Sequence, residues 1–97
     1  NNRMSRLSDQ LGAIASEQRM RILASLAAGA VHVSELARQL NMSRPLLYMH
    51  LAKLEEAGFI SGKLKLSDDG RAFKYFEIKP FNIIIDINAI RSAIASE

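Results

Sequence analysis

The 97-residue sequence has no cysteine and no tryptophan, two prolines and five glycines. Without cysteine there is no disulfide staple, no thiolate metal site and no thiol redox switch. No apolar run approaches the roughly 18 residues that span a bilayer. The opening residues "NNRMSRLSDQ" do not show the basic-then-apolar layout of a signal peptide, so the expected location is cytoplasmic, with no membrane partner. There is also no glycine-rich phosphate loop, nucleophile signature or acid–base constellation, and the expectation is that the protein is not an enzyme. The two histidines, His32 and His50, are not at i, i+3 or i+4 spacing, and no acid pair repeats with either. No metal site and no cofactor are therefore expected, and nothing demands a small-molecule effector.

What is present is 48% hydrophobic content in a length that suits one module. The domain reading is a single unit over residues 1–97. A core of this size is marginal alone, so association with a second copy is expected. The formal charge of +3 permits a nucleic-acid partner without demanding one. Residues 38–79 carry eight of the basic side chains against five acids, so the whole excess can be assigned to that stretch.

Leu7, Leu11 and Ile14 repeat at i, i+4 and i+7, which predicts a short amphipathic helix over 5–15 capped by Ser5. Ser16 then caps a second helix with Met20, Leu23, Leu26 and Ala27 on its inner face and Gly29 as its stop. "VHV" at 31–33 alternates as a short strand with His32 outward. Ser34 is read as the cap of a third helix, with Leu36, Ala37 and Leu40 inward and Asn41 in a left-handed closing turn.

The run "NMSRPLLYMHLAKLEEAGFI", residues 41–60, then places a proline in a helical pattern. Ser43 is a good N-cap, which makes Pro45 the second residue of a helix over 43–57. The first turn has no acceptor for its N–H groups, and the fixed φ of proline is already helical, so Pro45 marks a start instead of a break. Two helices joined by "NMS" must cross steeply, as in a helix-turn-helix. At 100° per residue, Leu47, His50, Leu51 and Leu54 share the packing arc, with His50 a hydrogen-bonding residue at the core edge. The opposite arc holds Arg44, Pro45, Tyr48, Met49, Ala52, Glu55 and Glu56. Arg44, Tyr48 and Met49 lie in the front half and both glutamates in the last turn, a polarity that suits entry of the N-terminus into a major groove, with Ser43 toward phosphate.

Beyond Gly58, residues 60–79 read as a hairpin around "SDDG" with a basic edge. Phe76 and Ile78 face the core. Lys63, Lys65, Arg71 and Lys74 are candidates for DNA backbone contact, although strict alternation puts Lys74 on the side of Phe76. Asp68 and Asp69 oppose phosphate contact at the tip, which leaves Arg71 the larger role. In "PFNIIIDINAIRSAIASE", Phe81, Ile83, Ile85 and Ile87 alternate along an extended segment before a helix capped by Asn88. Leu7, Leu11, Ile14, Ile83, Ile85, Ile90 and Ile94 are read as dimer-interface material, since so much exposed isoleucine invites aggregation unless covered.

The predicted fold is α+β, mainly α: a winged helix-turn-helix with a two-stranded β-hairpin wing over a core at 16–79 and terminal dimerisation segments at 5–15 and 81–96. "SEQRMRILASL", "VSELARQLNMSRPLLYMHLAKLEEAGFI" and "GRAFKYFEI" resemble ArsR-like winged-helix transcriptional regulators. That resemblance implies a recognition helix at Ser43–Leu54, a wing at 60–79, terminal helices that pair two subunits, and a dimeric repressor-like DNA binder. The chain departs from the commoner pattern in having Met49, not a basic residue, before His50. The runner-up reading is a winged-helix protein-interaction module without specific DNA binding, and a third is an activating or architectural DNA binder.

Overall fold

The computed structural model describes residues 3–96, with side chains from Arg6 onward. In chain order the elements are α1 (Arg3–Ile14), α2 (Glu17–Leu26), β1 (Val31–His32), α3 (Val33–Leu40), α4 (Arg44–Glu56), β2 (Ile60–Leu66), β3 (Ala72–Ile78) and α5 (Ile87–Ala95). The strands form one antiparallel sheet in the order β1-β3-β2. Helix α3, a tight turn and α4 form the helix-turn-helix, and β2 with β3 forms the wing, so the architecture is a winged helix-turn-helix.

Ile22, Leu26, Leu36, Leu47, Leu51, Leu54, Phe59 and Ile60 are fully buried, so α2, α3, α4 and the start of β2 share one core. Each such side chain contributes about 1.5–3 kcal/mol of burial free energy. The radius of gyration is 15.6 Å, above the about 13 Å of a compact 100-residue domain. The excess reflects the elongated outline, 53 × 25 × 23 Å.

The hairpin pairs Ile60 with Ile78 through Leu66 with Ala72, and β1 adds a third strand by pairing Val31 with Phe76 and His32 with Tyr75. This places Lys63, Lys65, Phe73, Tyr75 and His32 on one face of the sheet. Val31, Gly62, Leu64, Leu66, Lys74 and Phe76 lie on the other. Lys74 therefore follows strict alternation and shares the side of Phe76. Phe76 is buried and Ile78 half-buried, as expected, while Leu64 and Leu66 continue the same face into solvent.

Several local expectations are corrected. Helix α1 begins at Arg3, so Ser5 lies within it and not at its cap; its side chain is outside the described residues. In α2 the buried face is Ile22, Leu23 and Leu26, while Met20 is 55% exposed and Ala27 is also exposed. The reason is Arg19, which stands at i−3, i−4 and i−7 to these residues and is drawn inward by polar partners. Helix α3 starts one residue before Ser34. Its cap is His32, whose Nδ1 accepts from the Ser34 N–H at 3.0 Å. The His32 ring also packs edge-on against Phe73 and Tyr75, at centroid distances of 4.8 and 5.3 Å, so it is half-buried, not exposed. Helix α5 is capped by Asp86, accepting from the Ala89 N–H at 2.7 Å, and Asn88 falls inside the first turn. The segment before it, 79–86, is irregular; Ile83 packs on the core, whereas Phe81, Ile85 and Ile87 are exposed.

Candidate nucleic-acid interface

Helix α4 is fixed at both ends by its own sequence. Asn41 takes the left-handed conformation at φ 51°. The N–H groups of Asn41 and Met42 then close α3 on the carbonyls of Arg38 and Ala37, at 3.2 and 3.0 Å. Two residues later Ser43 caps α4, its Oγ accepting from the Leu46 N–H at 3.3 Å, and Pro45 occupies the first turn. At the far end Gly58, at φ 88°, donates to Glu55 O (3.1 Å) and Phe59 donates to Leu54 O (3.0 Å). This left-handed closure turns Phe59 back onto Leu54, and both are buried.

Arg44, Pro45, Tyr48 and Met49 are all exposed on one side of α4, as the helical wheel predicts, with Ser43 exposed at the N-terminal end. Arg44 is not loose: its Nη2 donates to the Ser34 Oγ on α3. Ser34, read from sequence as a cap, is thus a positioning group for Arg44. Leu46, which no sequence signal singles out, is also exposed, beside Ser43 on the flank toward α2.

The inner face holds the polar contact that sets the depth of α4. His50 is buried, and the Arg19 Nη1 lies 3.1 Å from its Nδ1. A guanidinium can only donate, so Nδ1 is the acceptor and the ring proton sits on Nε2. Nε2 is buried without a hydrogen-bond partner. Burial first, then the Arg19 and Lys53 charges, hold the imidazole pKa below its ordinary value. Arg19 also donates from Nε to Ala13 O at 2.6 Å and from Nη2 to Gly12 O at 3.4 Å. One side chain therefore ties the last turn of α1 to α4. The signal available in sequence was the i, i+3, i+4, i+7 spacing of Arg19 with Ile22, Leu23 and Leu26.

On the wing, the basic side chains predicted to be unencumbered each have a partner within the chain. Lys63 pairs with Glu77, whose carboxyl it holds below the usual range. The Lys65 ammonium lies 5.1 Å from the Tyr75 ring centre and that of Lys74 lies 5.6 Å from Phe76. Arg71 Nε stands 3.4 Å from Asp69 Oδ2 in the turn. These contacts are largely solvent-facing and worth little, so an anionic partner could displace them cheaply. The wing joins α4 through Glu55, whose Oε2 accepts from the Gly62 N–H at 3.1 Å. Gly62 is required here, because a Cβ would stand 2.9 Å from both Lys74 Cε and Phe76 Cε1. Among the described residues no group of three or more His, Asp or Glu could hold a metal ion, and no helix is long and apolar enough to cross a membrane.

A family model described as bacterial regulatory protein, arsR family, matches residues 16–61, from the α2 cap to the start of the wing. The chain is also 34% identical over 85 residues to an uncharacterized HTH-type transcriptional regulator of Methanocaldococcus jannaschii, covering 88% of each sequence. The chain belongs to the ArsR family. As an ArsR-family protein it is a transcriptional regulator that binds DNA. Among solved structures it is similar to HlyU from Vibrio cholerae, with a TM-score of 0.66, 26% identity, and 78% and 77% of the two chains covered. An ArsR family transcriptional regulator, RHA00566, gives 0.65, 29% and 77% of each.

The terminal segments of this ArsR-family chain meet each other: α1 packs on α5, with Ala93 buried. Ile14 and Ile83 are partly used up against the chain's own core. Leu7 and Leu11 are half-buried, and Ile85, Ile90 and Ile94 are exposed, together with Ile84 and Ile87. Leu7, Leu11, Ala15 and Ile90 line an open apolar groove between the two helices.

Proposed function

We propose that this chain is a sequence-specific regulator that acts in the cytoplasm as a dimeric repressor. It reads a pseudo-palindromic operator with α4 in the major groove and the wing on the backbone or in the minor groove. The observation that carries this reading is the polarity of α4. The capped N-terminus, with Ser43 and Arg44, lies at one end, while Glu55 and Glu56 lie at the other. Arg44, Pro45, Tyr48 and Met49 are the base-facing set, and Ser43, Lys63, Lys65, Arg71 and Lys74 the backbone set.

The exposed isoleucines beside the α1–α5 groove support pairing of two copies through the termini, residues 5–15 and 81–96, on either side of the winged core. Such pairing would set two α4 helices in successive major grooves, about 34 Å apart. A monomeric mass by sedimentation at micromolar concentration would count against it.

The test of the reading is binding to the duplex upstream of the protein's own gene against a scrambled duplex, across a salt series, for wild type and Arg44→Ala. Expected are a preference for the native duplex and a log–log salt slope of about −0.9 per neutralised phosphate. Arg44→Ala should lose about 1–3 kcal/mol of binding. Equal, weak binding to both duplexes, untouched by the substitution, would overturn the reading.

A further inference from the structure

The most outward line of α4 carries no hydrogen-bonding side chain in its first two turns. Leu47, His50, Leu51 and Leu54 define the buried side. The direction opposite them runs through Pro45, Met49 and Ala52 at i, i+4 and i+7, all exposed. Met49 is 46% exposed. Arg44, the cation of the first turn, is drawn aside to Ser34 on α3, and Glu56 continues the line only at the far end. An apolar ridge thus occupies the place from which a major-groove helix reaches bases.

The major-groove edges of guanine, adenine and cytosine present donors and acceptors. The one apolar group there is the thymine 5-methyl. Seating the Met49 thioether or the Pro45 ring on a guanine or cytosine edge would strip water from polar atoms and return no hydrogen bond. Seating it on a methyl group buries apolar surface on both sides. Methionine suits the task because its unbranched, polarizable chain adapts to the position of the methyl. The seven residue steps from Pro45 to Ala52 rise about 10 Å, which matches about three base-pair steps.

We infer that the ridge Pro45–Met49–Ala52 reads thymine 5-methyl groups, with Met49 the principal contact. This inference rests on α4 being the major-groove helix, and its test separates the two.

A preferred duplex is first selected from a randomised pool with the full chain. Its affinity is then compared with that of the same duplex carrying deoxyuridine for thymidine, which deletes the methyl groups and keeps every pairing edge. Wild type should lose about fourfold in affinity per contacted methyl. Met49→Ala should bind the thymine duplex more weakly, lose much of the thymine-over-uracil discrimination and keep the wild-type salt slope. Because Met49 is exposed, the variant should fold, which the thermal midpoint checks. If wild type prefers the selected sequence but binds its thymine and uracil forms equally, methyl reading is overturned while α4 stands as the reading helix. Full discrimination in Met49→Ala would likewise remove Met49 from the role. Failure of the pool to yield any preferred sequence would overturn both readings and assign the ridge to a protein partner.

Discussion

Helix α4 and the β2–β3 hairpin meet at Glu55 and Gly62 but are held in different ways. The helix has a cap at one end, a left-handed glycine at the other and four buried side chains between. The hairpin is held at its base by Ile60, Phe76 and the Gly62–Glu55 hydrogen bond, and beyond that it runs out with Leu64 and Leu66 in solvent. The helix presents its outer residues on a mount that the core decides. The hairpin presents cations whose partners lie on the hairpin itself, at least partly exposed except for the buried Phe76 ring beside Lys74. Geometry is thus built in where base reading would need it, and compliance remains where phosphate can be met in more than one way.

The contrast breaks most severely with Leu47→Ala. Removing this fully buried side chain from the helix mount should cost about 2–5 kcal/mol in denaturant unfolding. Leu64→Ala, on the hairpin, should change stability by less than about 0.5 kcal/mol.

A pH series sharpens it next. His50 is neutral in the folded chain because burial and the Arg19 and Lys53 charges lower its pKa. The unfolded chain gains a proton near pH 6.5 that the folded chain refuses. The stability this provides is complete above that pH and is lost as pH falls toward the lowered folded value. Urea midpoints should therefore drop below about pH 6.5, and His50→Gln should flatten that drop.

Glu55→Ala cuts the junction between the two regions. It should cost about 0.5–1 kcal/mol overall and speed hydrogen exchange at the Gly62 amide, while the amides of the middle of α4 stay protected. A Gly62 amide that exchanges as in wild type would show the junction to be unimportant.

The smallest effect is expected from Lys63→Gln. Stability should move by less than about 0.5 kcal/mol, since the Glu77 pair is exposed. The salt slope of DNA binding should fall by about 0.9 if Lys63 meets a phosphate.

How much of this could be read in advance depends on whether the deciding signal was local. Ser43, Pro45, Asn41 and Gly58 each announce a backbone conformation by their own chemistry, so the turn and α4 were readable, as was the wing from its strand alternation. Apolar periodicity misled at α2, where Met20 looks inward by type and Arg19 is inward in fact. A guanidinium goes inside only when carbonyls and an imidazole wait for it, and those come from Gly12, Ala13 and His50, as far as 31 residues away. His32 failed for a similar reason: its role as a cap needs the chain to turn into α3 one residue earlier than Ser34 suggests. At α5, Asp86 and Asn88 are both cap formers, and periodicity alone does not choose between them. The partners of the wing cations were hidden because cross-strand diagonals depend on register, which the alternation of one strand does not reveal.

The Arg19 fork bears on where the working body of the protein ends. The segment that the family model matches begins at residue 16, yet two of the guanidinium's three anchoring points lie upstream of it, on the carbonyls of Gly12 and Ala13. A chain trimmed to that segment would leave the fork gripping α4 with one hand, its charge no longer steadied by the negative end of α1 and left to the His50 Nδ1 alone. Helix α1 is accordingly part of the foundation beneath α4, whatever else it meets.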